Sequence, residues 1–179
     1  MQNIHTKICC IQSFEEALLA IEHGADMLGF VSEMPSGPGI VEEVVIAEII
    51  AQLPGGVLSC LLTSKTKVEE IVAQQRRCRS DAIQLCSRLS QDDLRELRAV
   101  LPETKLIPVV HVSDEESVHE ALEFQEFADA SLLDSSTHID GVPQLGGTGL
   151  VHDWNVSREI VEKTSVPVYL AGGLKASNV

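Results

Sequence analysis

Along the chain, short runs of β-branched and other apolar residues alternate with longer segments whose apolar positions recur every three or four residues. The first kind of run reads as a buried strand and the second as a helix with one face on a core. "HTKICC" (5–10) is followed by the helix-period "SFEEALLAIEHG" (13–24), and "DMLGFVS" (26–32) by "EEVVIAEIIAQLPGG" (42–56). "VLSCLLTS" (57–64) precedes "TKVEEIVAQQRRC" (66–78), "DAIQLC" (81–86) precedes "SQDDLRELRAVLP" (90–102), and "KLIPVVHVS" (105–113) precedes "DEESVHEALEFQEF" (114–127). After the strand "DASLLDS" (129–135) comes a polar loop, "STHIDGVPQLGGTGLVH" (136–152). The helix "DWNVSREIVEKT" (153–164) and the strand "VPVYLAGG" (166–173) complete the pattern. "LKASNV" (174–179) reads as the first turn of one more helix. Start and stop signals sit where they should. Ser13/Glu16, Thr66/Glu69 and Ser113/Glu116 have capping-box spacing, while Gly24 and the Pro54–Gly55 pair stop their helices.

Strands that alternate with helices form parallel βα units with right-handed crossovers, either in an open doubly wound sheet or in a closed barrel. The units are nearly even in length, and "CCIQSF" stands where a dinucleotide-binding sheet carries its glycine fingerprint. The pattern predicts an α/β fold of the (β/α)₈ TIM-barrel type, one domain over residues 1–179, lacking its eighth βα unit. The first and last strands would then present unpaired edges, and self-association through those open barrel edges is the expected consequence.

Composition narrows the partners. A net charge of −14 argues against nucleic acid and anionic lipid, both of which need a basic surface. It leaves room for a small phosphorylated substrate, since a few backbone amides can hold a phosphate on an acidic protein. Aromatic residues are only 3% of the chain, so the core must come from Ile, Val, Leu and Ala. Five cysteines without a CxxC pair suit a reduced, cytoplasmic setting. The N-terminal residues do not read as an apolar leader, and no run reaches the roughly 18 residues expected of a membrane span.

Candidate chemistry lies where strands end, because active sites of such barrels form at the carboxyl face. Cys9 and Asp134 each end a strand. A thiol and a carboxyl so placed stand at the face where such barrels bind their ligands. Each also has a plainer reading: free cysteine is a common core filler, and Asp134 followed by two serines can cap a turn. Lys7 shares a face with Cys9 by alternation, either tuning it or held by a carboxylate inside the barrel. Cys9, Cys60, Cys86 and His111, all near strand ends, would suit zinc if they converged. Trp154 reads as packing, and Glu15, Glu16, Glu69 and Glu70 as solvated helix faces.

"KIC" at the first strand, "GADMLGFV" at the second, "QL" at the fourth, "LLDS" at the sixth, then "GGTGLVHDW" and "LAGGLKASNV", occur together and in order. In this the chain resembles the phosphoribosylanthranilate isomerases of tryptophan biosynthesis, over the whole length present. The resemblance implies an Amadori rearrangement of N-(5-phosphoribosyl)anthranilate, without metal or organic cofactor, with Cys9 as base and Asp134 as acid. It places phosphate on backbone amides at Gly172 and Gly173, near a helix starting about Ser177. It makes Gly146, Gly147, Thr148 and Gly149 part of a loop over the active site. The chain departs from the family pattern at four positions: Cys10 and Ser87 replace glycines, Cys86 replaces a histidine, and Gly39 stands where an arginine meets the anthranilate carboxylate. An impaired or repurposed sugar-phosphate-binding barrel is therefore the alternative expectation, and a Cys/His metal protein a third.

Overall fold

The computed structural model describes residues 4–35, 37–135, 137–139, 142–144 and 149–179. The strands are β1 (Lys7–Ile8), β2 (Met27–Val31), β3 (Leu58–Thr63), β4 (Ala82–Leu85), β5 (Lys105–His111), β6 (Ser131–Asp134), β7 (Thr137–Ile139), β8 (Val142–Gln144) and β9 (Val168–Leu170). The helices are α1 (Phe14–Glu22), α2 (Glu43–Ile50), α3 (Val68–Cys78), α4 (Gln91–Val100), α5 (Glu116–Phe124) and α6 (Trp154–Lys163). Seven strands form one parallel sheet in the order β1-β2-β3-β4-β5-β6-β9, so each predicted strand lies beside its predecessor in sequence. This is the barrel topology, and β1 and β9 are its two outer strands.

Strand alternation divides the apolar residues into two layers. Met27, Val31, Cys60, Leu62, Ile107 and Leu132 meet one another inside the curled sheet. Their sequence neighbours face outward against helices: Ile83, Leu106, Val110 and Leu133 pack with α3–α6, and Leu28, Phe30 and Leu61 with α1 and α2. With so few aromatics, branched aliphatics fill both layers. The same alternation sends Lys7, Cys9, Gly29, Gln84, His111 and Asp134 to the inner side.

Several local expectations resolve differently. Ser13 Oγ accepts the Glu16 N–H, but the Glu16 carboxylate reaches the N–H of Gln12 instead of Ser13. The Thr66 box does not form, since Lys67 is the N-cap of α3 and makes no side-chain cap bond. At α5, the Asp114 carboxylate accepts the Glu116 N–H, while Ser113 donates its own N–H to Ser117 Oγ. A complete capping box stands at Ser90 and Asp93, where a shorter acid does the work of Glu. The polar loop after β6 contains an antiparallel hairpin, β7–β8. Residues 175–178 close as a single turn, with the Asn178 N–H on the Lys175 carbonyl, where the sequence reads the first turn of a helix.

Candidate active site

At the carboxyl end of the sheet lies a cleft of about 430 Å³. Cys9 and Asp134, far apart in sequence, both line it, as do Gln84, Gly149, Gly172 and Gly173. Cys9 follows β1, and its backbone fits because residue 29 on the neighbouring strand is glycine. A Cβ there would stand 2.9 Å from Cys9 Sγ and 3.2 Å from Cys9 Cα. The thiol is exposed to the cleft.

Lys7 Nζ lies 2.6 Å from Cys9 Sγ and donates to Gln84 Oε1 at 2.8 Å. The Gln84 amide in turn donates to Cys86 Sγ at 3.5 Å. Burial pulls the Lys7 pKa down, but the charge that Cys60, Cys9 and Cys86 take on when they ionise, with the Cys9 hydrogen bond, leaves it above the usual lysine value. Lys7 is thus an ammonium held by a thiol and an amide, not by a carboxylate. Burial pushes the Cys60 and Cys86 thiols up to about 11 and about 12, so both are neutral at physiological pH. Cys60, Cys86 and Cys9 do gather around one point, but that point is an ammonium. Among the described residues no three His, Cys, Asp or Glu side chains are placed to hold a metal ion, which removes the zinc expectation.

Asp134 ends β6 beside His111 of β5, its register partner. Burial raises the pKa of its half-buried carboxyl, against the opposing pull of the Ser135 N–H and of His111, His152 and Lys7. The Ser135 N–H donates to Asp134 Oδ1 at 2.8 Å. His152 sits with Nε2 2.6 Å from Ser157 Oγ, and burial lowers its pKa despite the nearby carboxylates. His111 Nε2 is 3.1 Å from the Cys86 carbonyl. Two imidazoles therefore flank the acid. Sequence reading assigns neither to it, although the pairing of adjacent strand ends would have found His111.

Gly172 and Gly173 adopt φ of 82° and 64°. A Cβ at Gly172 would lie 2.8 Å from Ser135 Oγ, 2.9 Å from Ser135 N and 3.0 Å from Asp134 Oδ1. One at Gly173 would lie 2.6 Å from Val151 Cγ2. These glycines let the end of β9 approach the acid. Gly172→Ala is accordingly expected to cost about 1–2 kcal/mol from the left-handed backbone alone. That corresponds to a fall in Tm of roughly 2–8 °C by thermal melt. Gly149, also at positive φ (67°), lines the same cleft. Gly146, Gly147 and Thr148 lie outside the described residues.

Fold and site together define a parallel β/α-barrel protein whose carboxyl mouth holds a cleft lined by a thiol and a carboxyl. The family model for N-(5'-phosphoribosyl)anthranilate (PRA) isomerase matches residues 6–179. The chain belongs to that family. It is 34% identical over 173 residues to the N-(5'-phosphoribosyl)anthranilate isomerase of Methanocella arvoryzae, covering 97% of this chain and 79% of that one. It is similar to the crystal structure of phosphoribosyl anthranilate isomerase from Thermotoga maritima (TM-score 0.81, 27% identity, 99% of this chain and 80% of the other). It also resembles a phosphoribosyl anthranilate isomerase solved with reduced 1-(o-carboxyphenylamino)-1-deoxyribulose 5-phosphate (TM-score 0.76, 25% identity, 96% and 77% covered).

Proposed function

We propose that the chain isomerises N-(5-phosphoribosyl)anthranilate to the carboxyphenylamino-deoxyribulose phosphate, with Asp134 as acid and Cys9 as base. The observation that carries this reading is that a thiol and a carboxyl, 125 positions apart in sequence, line one cleft in a member of this family. Asp134 gives its proton to the ribose ring oxygen. The C1′–O bond breaks, and the nitrogen lone pair forms the C=N bond of an iminium. Cys9 as thiolate takes the C2′ proton, and the released pair makes the enolamine, which ketonises. Only protons and bonding pairs move, so no cofactor is used.

Electrostatics supports the division of roles. The acid must hold its proton near neutrality, and burial favours the neutral carboxyl. The base gains negative charge as it loses its own proton, and Lys7 stands beside it to balance that charge. Gly172 and Gly173 offer backbone amides to the phosphate, and Gly149 lines the same cleft. The cleft volume suits a ligand of this size. A cytoplasmic setting is supported by five free cysteines, and no helix among the described residues is long and apolar enough to cross a membrane.

The test is the decay of phosphoribosylanthranilate fluorescence on adding the protein. No acceleration over the spontaneous rate would end the proposal. Lys7→Met removes one charge-assisted contact from the base, worth about 1.5–3 kcal/mol. The expected result is a loss of roughly ten- to a hundredfold in kcat, read in the same assay.

A further inference from the structure

We infer that Cys9 and Lys7 form a reversible oxidation site, in which hydrogen peroxide turns the thiol into a sulfenic acid and the lysine nitrogen captures that sulfur in a covalent S–N bond. The bond forms whether or not the pocket isomerises a substrate. The isomerase reading adds only that the linked site has lost its base.

The geometry is that of two groups about to react. Lys7 and Cys9 stand two residues apart on the inner face, with Lys7 Nζ 2.6 Å from Cys9 Sγ. That is inside the roughly 3–3.5 Å at which reacting atoms are poised to bond. Gln84 Oε1 accepts from the same nitrogen at 2.8 Å and holds it in place. Cys9 is exposed and lines the cleft, so a small oxidant entering there meets its sulfur. The other sulfurs are worse placed. Cys9 lies over Gly29, whose register partner on the far side is Cys60. Two strand spacings put Cys9 and Cys60 roughly 9–10 Å apart, and a disulfide needs Cα atoms within about 7 Å. Cys86, past the end of β4, is a strand farther away, and Cys78 belongs to α3, outside the sheet. Cys10 turns its Sγ to the Pro38 carbonyl, 3.6 Å away.

One oxidant suffices. The Cys9 thiolate attacks one oxygen of hydrogen peroxide. An S–O bond forms, the O–O bond breaks, and the departing hydroxide is protonated to water. Sulfur has lost two electrons and peroxide has gained them. The Lys7 lone pair then attacks sulfur. An S–N bond forms, the S–O bond breaks, and hydroxide leaves as water with a proton from nitrogen. A thiol reductant reverses the link. It attacks sulfur, the S–N bond breaks, the amine regains its proton, and a second thiol resolves the mixed disulfide.

The second step needs Lys7 as a free amine, and the first step supplies it. Burial is the largest influence on Lys7 and favours the uncharged form. What holds the ammonium is the negative charge of ionised sulfur, with the Cys9 hydrogen bond. Cys60 and Cys86, pushed up to about 11 and about 12, are neutral at physiological pH. Sulfenic acid removes the thiolate charge at Cys9, so the amine is released where its target stands.

The test maps Lys7, the first lysine or arginine of the chain, where a tryptic cut releases residues 1–7. Reductant-free protein is treated with hydrogen peroxide, unfolded, alkylated with iodoacetamide and digested. The cut after Lys7 is expected to be lost and Cys9 to escape alkylation. Fragment ions are expected to place a link, two hydrogen atoms lighter than the open pair, between residues 7 and 9. Dithiothreitol restores both the cut and the thiol. Cys10→Ser is expected to show the same link, which excludes a Cys9–Cys10 disulfide as its source. In Lys7→Met the sulfenic acid has no captor, and excess peroxide is expected to drive Cys9 to sulfinic acid, which dithiothreitol does not reverse. An oxidised parent that trypsin still cuts after Lys7 overturns the inference. So does a Lys7→Met variant whose Cys9 thiol returns with dithiothreitol as fully as the parent's. If thermal melts show either variant unfolded, the parent's map decides. A link in a protein that turns over no phosphoribosylanthranilate sinks the catalytic proposal alone. Turnover in a protein whose Lys7 never links sinks the inference alone.

Discussion

Cys9→Ala is expected to lower kcat for phosphoribosylanthranilate by about 10²–10⁴-fold, the usual worth of a positioned general base. The prediction is large because, among the described residues, none of the neighbours of Cys9 in the site can take its place. Gln84 has no basic atom, and Lys7 is an ammonium whose pKa lies above the usual value. Cys60 and Cys86 are buried thiols raised to about 11 and about 12. The fold should survive the change. Cys9 is exposed, and exposed substitutions usually stay within about 0.5 kcal/mol. Lys7 keeps Gln84 as a partner. Stopped-flow or steady-state fluorescence gives the rate, and a urea melt gives the stability. A variant with undiminished kcat would remove Cys9 from the mechanism.

Asp134→Asn is expected to cost a similar factor, about 10²–10⁴-fold, by removing the proton the ring oxygen needs. Its effect on stability should have the opposite sign. Burial raises the folded-state pKa of this carboxyl, so the folded protein binds the proton more tightly than the unfolded chain. Between the ordinary aspartate pKa and the raised one, stability therefore falls as pH rises, and above both values the whole penalty is present. Asparagine carries no charge at any of these pH values. The variant should be at least as stable as the parent at pH 7 and should lack this fall across the carboxylate range. Thermal melts from pH 4 to pH 8 on both proteins check the sign. A parent whose stability relative to the variant rises with pH in that window would contradict it. A site residue whose removal stabilises the fold while stopping the reaction is the expected signature of a buried functional acid.

The apolar spacing determined much of the fold. The strand runs and helix-period segments pair off in the order observed, because each short run must be buried on both faces and each helix must cover the run before it. The positions of Cys9 and Asp134 at strand ends follow from the same alternation. So does the inward direction of Lys7, which shares parity with Cys9. Local signals were less dependable. Thr66 had the spacing of a cap, but α3 starts one residue later at an N-cap, Lys67, that makes no side-chain cap bond, and at α5 the Asp114 carboxylate, not Ser113, accepts the Glu116 N–H. The hairpin β7–β8 lay in a segment whose polarity read as loop.

The sequence by itself determined which residues face inward and which strand ends carry chemistry, since both depend only on periodicity along one chain. Tertiary structure decided what those residues meet. Lys7 could have been held by a carboxylate, the cysteines could have gathered on a metal, and Cys10 and Gly39 could have been unrelated exceptions to a pattern. Curling the sheet brought an ammonium among the sulfurs, two histidines beside Asp134, and Cys10 into the space a side chain at 39 would fill. Such contacts depend on distances between residues remote in sequence, and no periodicity along the chain encodes them.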